Sequence, residues 1–102
     1  MTLALGFAND SETTCGVPDN VSVVSTSSGS ITFDWDDCAS GCQEYEVRYV
    51  RLADGFVSSW RSTSSSNNTF SGLASGTYEF HFRTVCGGSV SGFIVIQDNI
   101  WT

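Results

Sequence analysis

Apolar and polar residues alternate with period two along most of the chain, whereas helical periodicity is hard to find. The clearest case is the segment TYEFHFRTV, residues 77–85, in which Tyr78, Phe80 and Phe82 alternate with polar or charged side chains. Successive side chains of an extended strand point to opposite faces of a sheet. The pattern therefore predicts β-strands with one buried face, and an all-β protein.

Similar segments recur along the chain, separated by clusters of Gly, Ser, Asn and Asp that are typical of turns. In the second segment Ile31, Phe33 and Trp35 share one face, and in the first Val21 and Val23 do. The segments predicted as strands are residues 17–25, 30–36, 43–52, 56–62, 68–73, 77–85 and 90–97. Seven short strands at this spacing are typical of an antiparallel β-sandwich.

Length and charge limit the classes of function. The 102 residues are the usual size of one domain. Eleven acidic residues against four arginines, with no lysine, give a net charge of -7. The negative electrostatic field of this charge would repel nucleic acid and anionic membranes, which argues against both as partners. No apolar run reaches the ~20 residues that span a bilayer. We expect a soluble domain over residues 15–97, with an arm at 1–14 and a tail at 98–102.

The order of these features resembles a fibronectin type III domain over roughly residues 15–96. The residues that carry the resemblance are Val17-Pro18, Trp35 on the second strand, YEVRY at 45–49 and GLASGTYEFHFRTV at 72–85. In that family the last segment contains a leucine, a turn and a tyrosine corner. The resemblance thus implies core positions for Trp35, Leu73 and Tyr78, with the tyrosine hydroxyl bonded to nearby backbone. Ser75 stands where the family often has proline, and the turn is about one residue shorter than usual.

The implied fold gathers the four cysteines at one pole of the sandwich. Cys15 just before the first strand and Cys86 at the end of the sixth resemble a bacterial branch found in secreted and surface proteins. Three pairings are open, and we favour Cys15 with Cys86 and Cys38 with Cys42, because the latter two flank a loop that turns back. Free thiols and a four-thiolate zinc site are the alternatives. Disulfides would indicate an oxidising compartment, although residues 1–8 lack the positive region of a signal peptide.

The densest collection of reactive side chains is DWDDCASGC, residues 34–42. Calcium needs six or more oxygen ligands arranged around a loop, and the alternating Asp34 and Asp36, followed by Asp37, do not supply them. We therefore interpret the stretch as a loop closed by a disulfide. His81 has no nucleophile or base motif beside it and is expected on the sheet surface. We therefore expect no catalytic residues, no metal and no cofactor.

For the other polar and aromatic residues, a structural role is the expected one. We expect cross-strand charge pairs among Glu46, Arg48, Glu79 and Arg83, since the third and sixth strands are neighbours in this fold. Three aromatic residues would stack on a sugar if they were exposed, although sheet packing is the expected place for each: Tyr49, Phe56 and Trp60.

Both ends of the chain are apolar, and the last predicted strand is apolar on both faces. Exposed apolar patches usually mark interfaces. We expect contacts with other protein subunits through Leu3, Leu5, Phe7, Ile94, Ile96, Ile100 and Trp101. The alternative is that both ends fold back on the sandwich.

These features predict a non-catalytic structural or adhesive module on the exterior of a larger assembly. We favour a bacteriophage virion decoration, head-fibre or tail-associated protein, in which loops 37–43 and 86–89 at the cysteine pole would meet a surface glycan or protein. The alternative is a domain of a secreted bacterial adhesin or polysaccharide-degrading enzyme that acts as a spacer or binding module.

Overall fold

The computed structural model describes residues 15–38 and 42–102, and it forms eight β-strands there. They are β1 Ser22–Ser27, β2 Ser30–Asp34, β3 Glu44–Arg51, β4 Phe56–Val57, β5 Arg61–Thr63, β6 Asn67–Phe70, β7 Gly76–Cys86 and β8 Ser89–Ile100. In this part of the chain no helix is long and apolar enough to cross a membrane. The predictions for Leu3, Leu5 and Phe7 lie outside the described residues.

Two antiparallel sheets make up the sandwich, which confirms the predicted fold class. One sheet has the order β1-β2-β6, and the other has the order β4-β3-β7-β8 with β5 also on β3. The segment predicted as one strand at 56–62 is divided into β4 and β5. On β3, Val50 pairs with Val57 of β4, and Val47 pairs with Arg61 of β5. The segment from Val57 to Arg61 therefore contains one residue more than the part of β3 that it faces. The extra residue interrupts the ladder, and the Ser58 hydroxyl accepts the Tyr49 N–H there at 2.9 Å.

The core lies between the sheets and is dominated by aromatic rings. The Phe33 ring centroid is 5.1 Å from that of Phe80 and 5.0 Å from that of Phe82, so β2 and β7 meet directly. Burying each such side chain stabilises the fold by about 1.5–3 kcal/mol. The buried cluster consists of Ile31, Phe33, Trp35, Tyr45, Val47, Phe70, Leu73, Tyr78, Phe80, Phe82 and Ile100.

The tyrosine corner closes the turn before β7. The Tyr78 hydroxyl donates a hydrogen bond of 2.8 Å to the Ala74 carbonyl, the kind of contact that the resemblance implies. Gly29 supports the same end of the sandwich. Its φ of 70° is left-handed, and a Cβ atom there would come within 3.0 Å of the Leu73 carbonyl oxygen, so this position requires glycine.

The first and last strands depart from their predicted bounds. β1 begins at Ser22 and contains a bulge between Val23 and Ser25. Val23 pairs with the inward Phe33, yet it is 39% exposed because β1 is the edge strand of its sheet. β8 continues to Ile100, so residues predicted as a tail belong to the sheet. Ile100 is only 5% exposed and packs in this domain's own core, which corrects its assignment as a subunit contact.

Candidate functional site

All four cysteines form disulfides at one pole. Cys15 is bonded to Cys86, with their Cα atoms 5.6 Å apart, and Cys38 is bonded to Cys42, with Cα atoms 6.3 Å apart. The Cys38 N–H also donates to the Tyr45 hydroxyl at 2.9 Å, which holds the start of the short bridged loop against the core. No thiolate of these four residues is left to bind zinc.

Two of the three carboxylates in DWDDCASGC, residues 34–42, accept hydrogen bonds from neighbouring polar side chains. Asp36 Oδ2 accepts a hydrogen bond of 2.6 Å from the Asn20 amide, and Asp37 Oδ1 accepts one of 2.6 Å from the Ser66 hydroxyl. Asp34 is exposed opposite Asn67 on β6. Within residues 15–38 and 42–102, no three His, Cys, Asp or Glu side chains group as metal ligands. These aspartates therefore anchor the loop to its surroundings.

His81 is buried, which corrects its predicted place on the sheet surface. It points to the outer face of the five-stranded sheet, between Arg48 on β3 and Val95 on β8. The Phe93 ring stacks on the imidazole with centroids 4.7 Å apart and an interplanar angle of 18°, and His81 is left 5% exposed. The covering ring comes from β8 of the same sheet.

His81 belongs to a group of cations and rings that we call the outer cluster, defined as Arg48, Trp60, His81, Arg83 and Phe93. The Arg83 guanidinium carbon lies 4.0 Å from the Trp60 ring centroid, and that of Arg48 lies 4.3 Å from it. The Arg48 carbon is also 5.1 Å from the Phe93 centroid. Arginine and aromatic side chains thus alternate across three strands and the break between β4 and β5, with cation–π attraction at each step.

Hydrogen bonds fix the polar atoms of the outer cluster. Arg83 donates from Nε at 2.8 Å and from Nη2 at 2.6 Å to Glu46 Oε1, as the predicted charge pair requires. Arg48 instead donates from Nε to His81 Nδ1 at 3.0 Å. Because arginine is always a donor, Nδ1 is the acceptor, and the imidazole proton lies on Nε2, 3.2 Å from Glu79 Oε1.

The outward apolar surface differs from the predicted contact set. Ile94 and Ile96 point inward and pack against the core. The exposed large apolar residues of the last strand are Val90, Phe93 and Val95, at 47%, 45% and 48%, and we call them the β8 strip. In the described chain β8 pairs only with β7, so its other edge is unpaired beside this strip. Trp101, which follows the strand, is 54% exposed.

The three aromatic residues considered for sugar stacking occupy different places. Tyr49 is half-buried against the core, and its ring lies 5.6 Å from that of Tyr78. Phe56 is 46% exposed beside Arg51. Trp60 is half-buried and already contacts two guanidinium groups. Sequence reasoning missed the role of Trp60 because it lies in an irregular segment where period-two patterns carry no information.

Comparisons with known proteins show the fold of the chain. No protein-family profile and no curated protein sequence matches it. The solved structure of the rat CD45 extracellular region, domains d3-d4, matches 83% of this chain with a TM-score of 0.72 and 16% identity, and the chain spans 49% of that structure. The chicken CNTN1 FN1-FN3 domains match 86% of the chain with a TM-score of 0.70 and 17% identity, and the chain spans 31% of them.

A single domain gives the same result over most of its length. The fn3 domain of the human collagen alpha-1(XX) chain matches with a TM-score of 0.69 and 18% identity, covering 83% of this chain and 84% of that one. The chain is therefore a β-sandwich with the fibronectin type III fold.

Proposed function

We propose that this chain is a non-catalytic structural or adhesive module that works outside the cytoplasm as part of a larger assembly. The β8 strip carries the proposal, because three apolar side chains are each nearly half exposed on one face of an edge strand. Contiguous exposed apolar residues usually mark contact surfaces, and an unpaired strand edge offers main-chain hydrogen bonds to the same partner.

The cysteine pole supports a place outside the cytoplasm, because disulfides persist in oxidising environments. Our specific proposal is a bacteriophage virion decoration, head-fibre or tail-associated protein. In this arrangement the β8 strip, Trp101 and the arm residues Leu3, Leu5 and Phe7 would attach the module. Loops 37–43 and 86–89 would then face a surface glycan or protein.

A second candidate is a domain of a secreted bacterial adhesin or polysaccharide-degrading enzyme. It is favoured by the fact that two of the matching structures are longer, so that this chain spans only 49% and 31% of them. As such a domain the chain would be a spacer or a carbohydrate- or protein-binding module. A reading frame that continues beyond this sequence into a catalytic or anchoring region would decide for this candidate.

The contact surface is tested with two matched substitutions. Val95 and Val57 lie on strands at opposite edges of the same sheet, 48% and 49% exposed, so Val95→Thr and Val57→Thr remove similar apolar surface. Each variant is expressed in the native source, and its fraction in high-mass material is measured by sedimentation. We expect Val95→Thr to release the chain and Val57→Thr to leave it assembled. A wild-type chain that sediments only as a free 11.0 kDa monomer would contradict the proposal.

A further inference from the structure

We infer that the outer cluster is a receptor for a carboxylate, and that Arg48 binds a glutamate or aspartate carried by an apolar segment of a partner protein. The inference rests on the proposed function, because it names the chemistry of a partner that would lie across the β8 strip. It concerns a site on the outer sheet face, away from the cysteine pole.

The ion pairing of the arginines singles out Arg48. Arg51 pairs with Asp54, and Arg83 pairs with Glu46. Arg48 is half-buried and forms no ion pair with the residues at 15–38 and 42–102, although acids outnumber bases in the whole chain by 11 to 4. Arg61 also lacks an ion pair there, but it is exposed at an edge strand, where water satisfies its donors. A half-buried guanidinium without a carboxylate is costly to desolvate further unless an acceptor arrives with the partner.

The geometry of Arg48 suits a carboxylate acceptor. Its Nε is used by His81, and among the described residues the N–H groups of both terminal nitrogens remain for two parallel hydrogen bonds to one carboxylate. The Trp60 and Phe93 rings both contact the guanidinium group, so little side-chain freedom remains to be lost on binding.

The neighbouring carboxylates are already engaged. Glu46 accepts from Arg83, and Glu79 faces His81. With a neutral imidazole, the two arginines and two glutamates of this region sum to zero charge. A ligand is therefore selected at short range, by hydrogen bonds to the two terminal nitrogens of Arg48. The long-range electrostatic field of the acidic chain adds no attraction for it.

The surroundings of Arg48 favour an apolar protein segment over an acidic sugar. Phe93 and Val95 provide exposed apolar surface without hydrogen-bonding groups for hydroxyls. Trp60, which would be the natural stacking platform for a sugar ring, already contacts two guanidinium groups. A glutamate next to leucine or phenylalanine supplies both the carboxylate and the apolar area.

The experiment is a pair of NMR titrations of the full ¹⁵N-labelled chain. The probes are acetyl-Leu-Glu-Phe-amide and the matched acetyl-Leu-Gln-Phe-amide, and the signals followed are the Arg48 Nε–Hε and the Trp60 indole N–H. We expect saturable shifts with the glutamate peptide and binding about tenfold weaker with the glutamine peptide, the size of one charge-assisted interaction. Arg48→Gln should weaken glutamate-peptide binding about tenfold, whereas Arg61→Gln should leave it unchanged.

Several results would overturn the inference. These are equal shifts with both peptides, no shift of the Arg48 signal at millimolar peptide, or shifts with glucuronate but not with either peptide. The comparison of the two peptides uses the wild-type chain, so it stands even if Arg48→Gln disturbs folding. If the titrations fail but Val95→Thr is still released from the assembly, only the carboxylate receptor is rejected. If the wild-type chain never assembles, the proposed function is rejected.

Discussion

The two faces of β7 bury their side chains by different means. On the inner face, Tyr78, Phe80 and Phe82 are 0–1% exposed because the opposite sheet covers them. On the outer face no second sheet is present in the described chain, yet His81 is 5% exposed because Phe93 stacks on it. The inner face is closed by sandwich packing, and the outer face is closed by long side chains of the same sheet.

This difference teaches how a polar residue is buried in a small sandwich. Inner residues need only fit the apolar space between sheets. His81 is covered by the Phe93 ring, and its burial costs little because both ring nitrogens have partners, Arg48 on one side and Glu79 on the other. Removing an inner ring should therefore damage the whole fold, whereas removing an outer ring should loosen one face.

The largest effect is expected from Phe80→Ala on the inner face. Phe80 is fully buried and packs against Phe33, Phe70 and Tyr78. The loss of this ring should lower the free energy of unfolding by about 3–5 kcal/mol, through lost burial and the cavity left behind. Urea denaturation followed by fluorescence measures it. A loss below about 1 kcal/mol would show that the inner face is not the main source of stability.

A smaller loss is expected from Trp60→Ala on the outer face. Two cation–π contacts and a half-buried ring are removed, which should cost about 1–3 kcal/mol in unfolding free energy. Trp60→Phe, which retains a ring, serves as the control and should lose less. If Trp60→Ala were as damaging as Phe80→Ala, the proposed division between the two faces would be wrong.

The ion pair of Glu46 and Arg83 should contribute less again. Each side chain keeps about one-fifth of its surface exposed to water, which partly screens their attraction. A double-mutant cycle with Glu46→Gln and Arg83→Gln should give a coupling of about 0.2–1 kcal/mol. A coupling above about 2 kcal/mol would indicate that the outer cluster excludes water as the inner core does.

The smallest effect is expected at Asp54, which lies on the surface turn after β3. Hydrogen bonds from Arg51, at 2.9 and 3.1 Å, and then from the Phe56 N–H hold the pKa of this carboxyl below its ordinary 3.8. A lowered folded-state pKa means that the stabilisation is present above 3.8 and is lost as pH falls through the folded value. Side-chain carbon NMR should place the Asp54 midpoint below 3.8, and Arg51→Gln should raise it. A midpoint unchanged by that substitution would remove Arg51 as the cause.

The inner face was largely predictable from sequence. Period-two alternation identified the buried residues of β2 and β7, and the family resemblance identified Trp35, Leu73 and Tyr78 as core residues. These predictions succeed because inward direction follows from alternation alone. The pattern did not reveal the bulge in β1, and it ended the last strand before Ile100.

The outer cluster was not predictable in the same way. The charge pair of Glu46 and Arg83 followed from the strand neighbours, but the pairing of Arg48 with His81 did not. This pairing depends on Trp60, which lies in the break between β4 and β5, and on Phe93, whose ring extends over His81 of β7. Such side-chain directions are decided by three-dimensional packing, which a linear pattern does not encode.

Hydroxyl-radical footprinting of the chain in its native setting, compared with the free recombinant chain, tests the central claim that the outer face of β8 is a contact surface. The account predicts that Phe93 and Val95 become protected in the native setting. Phe56 and Val57, at the opposite edge of the sheet, should be labelled equally in both samples. Equal labelling of Phe93 and Val95 in the two samples would contradict the account.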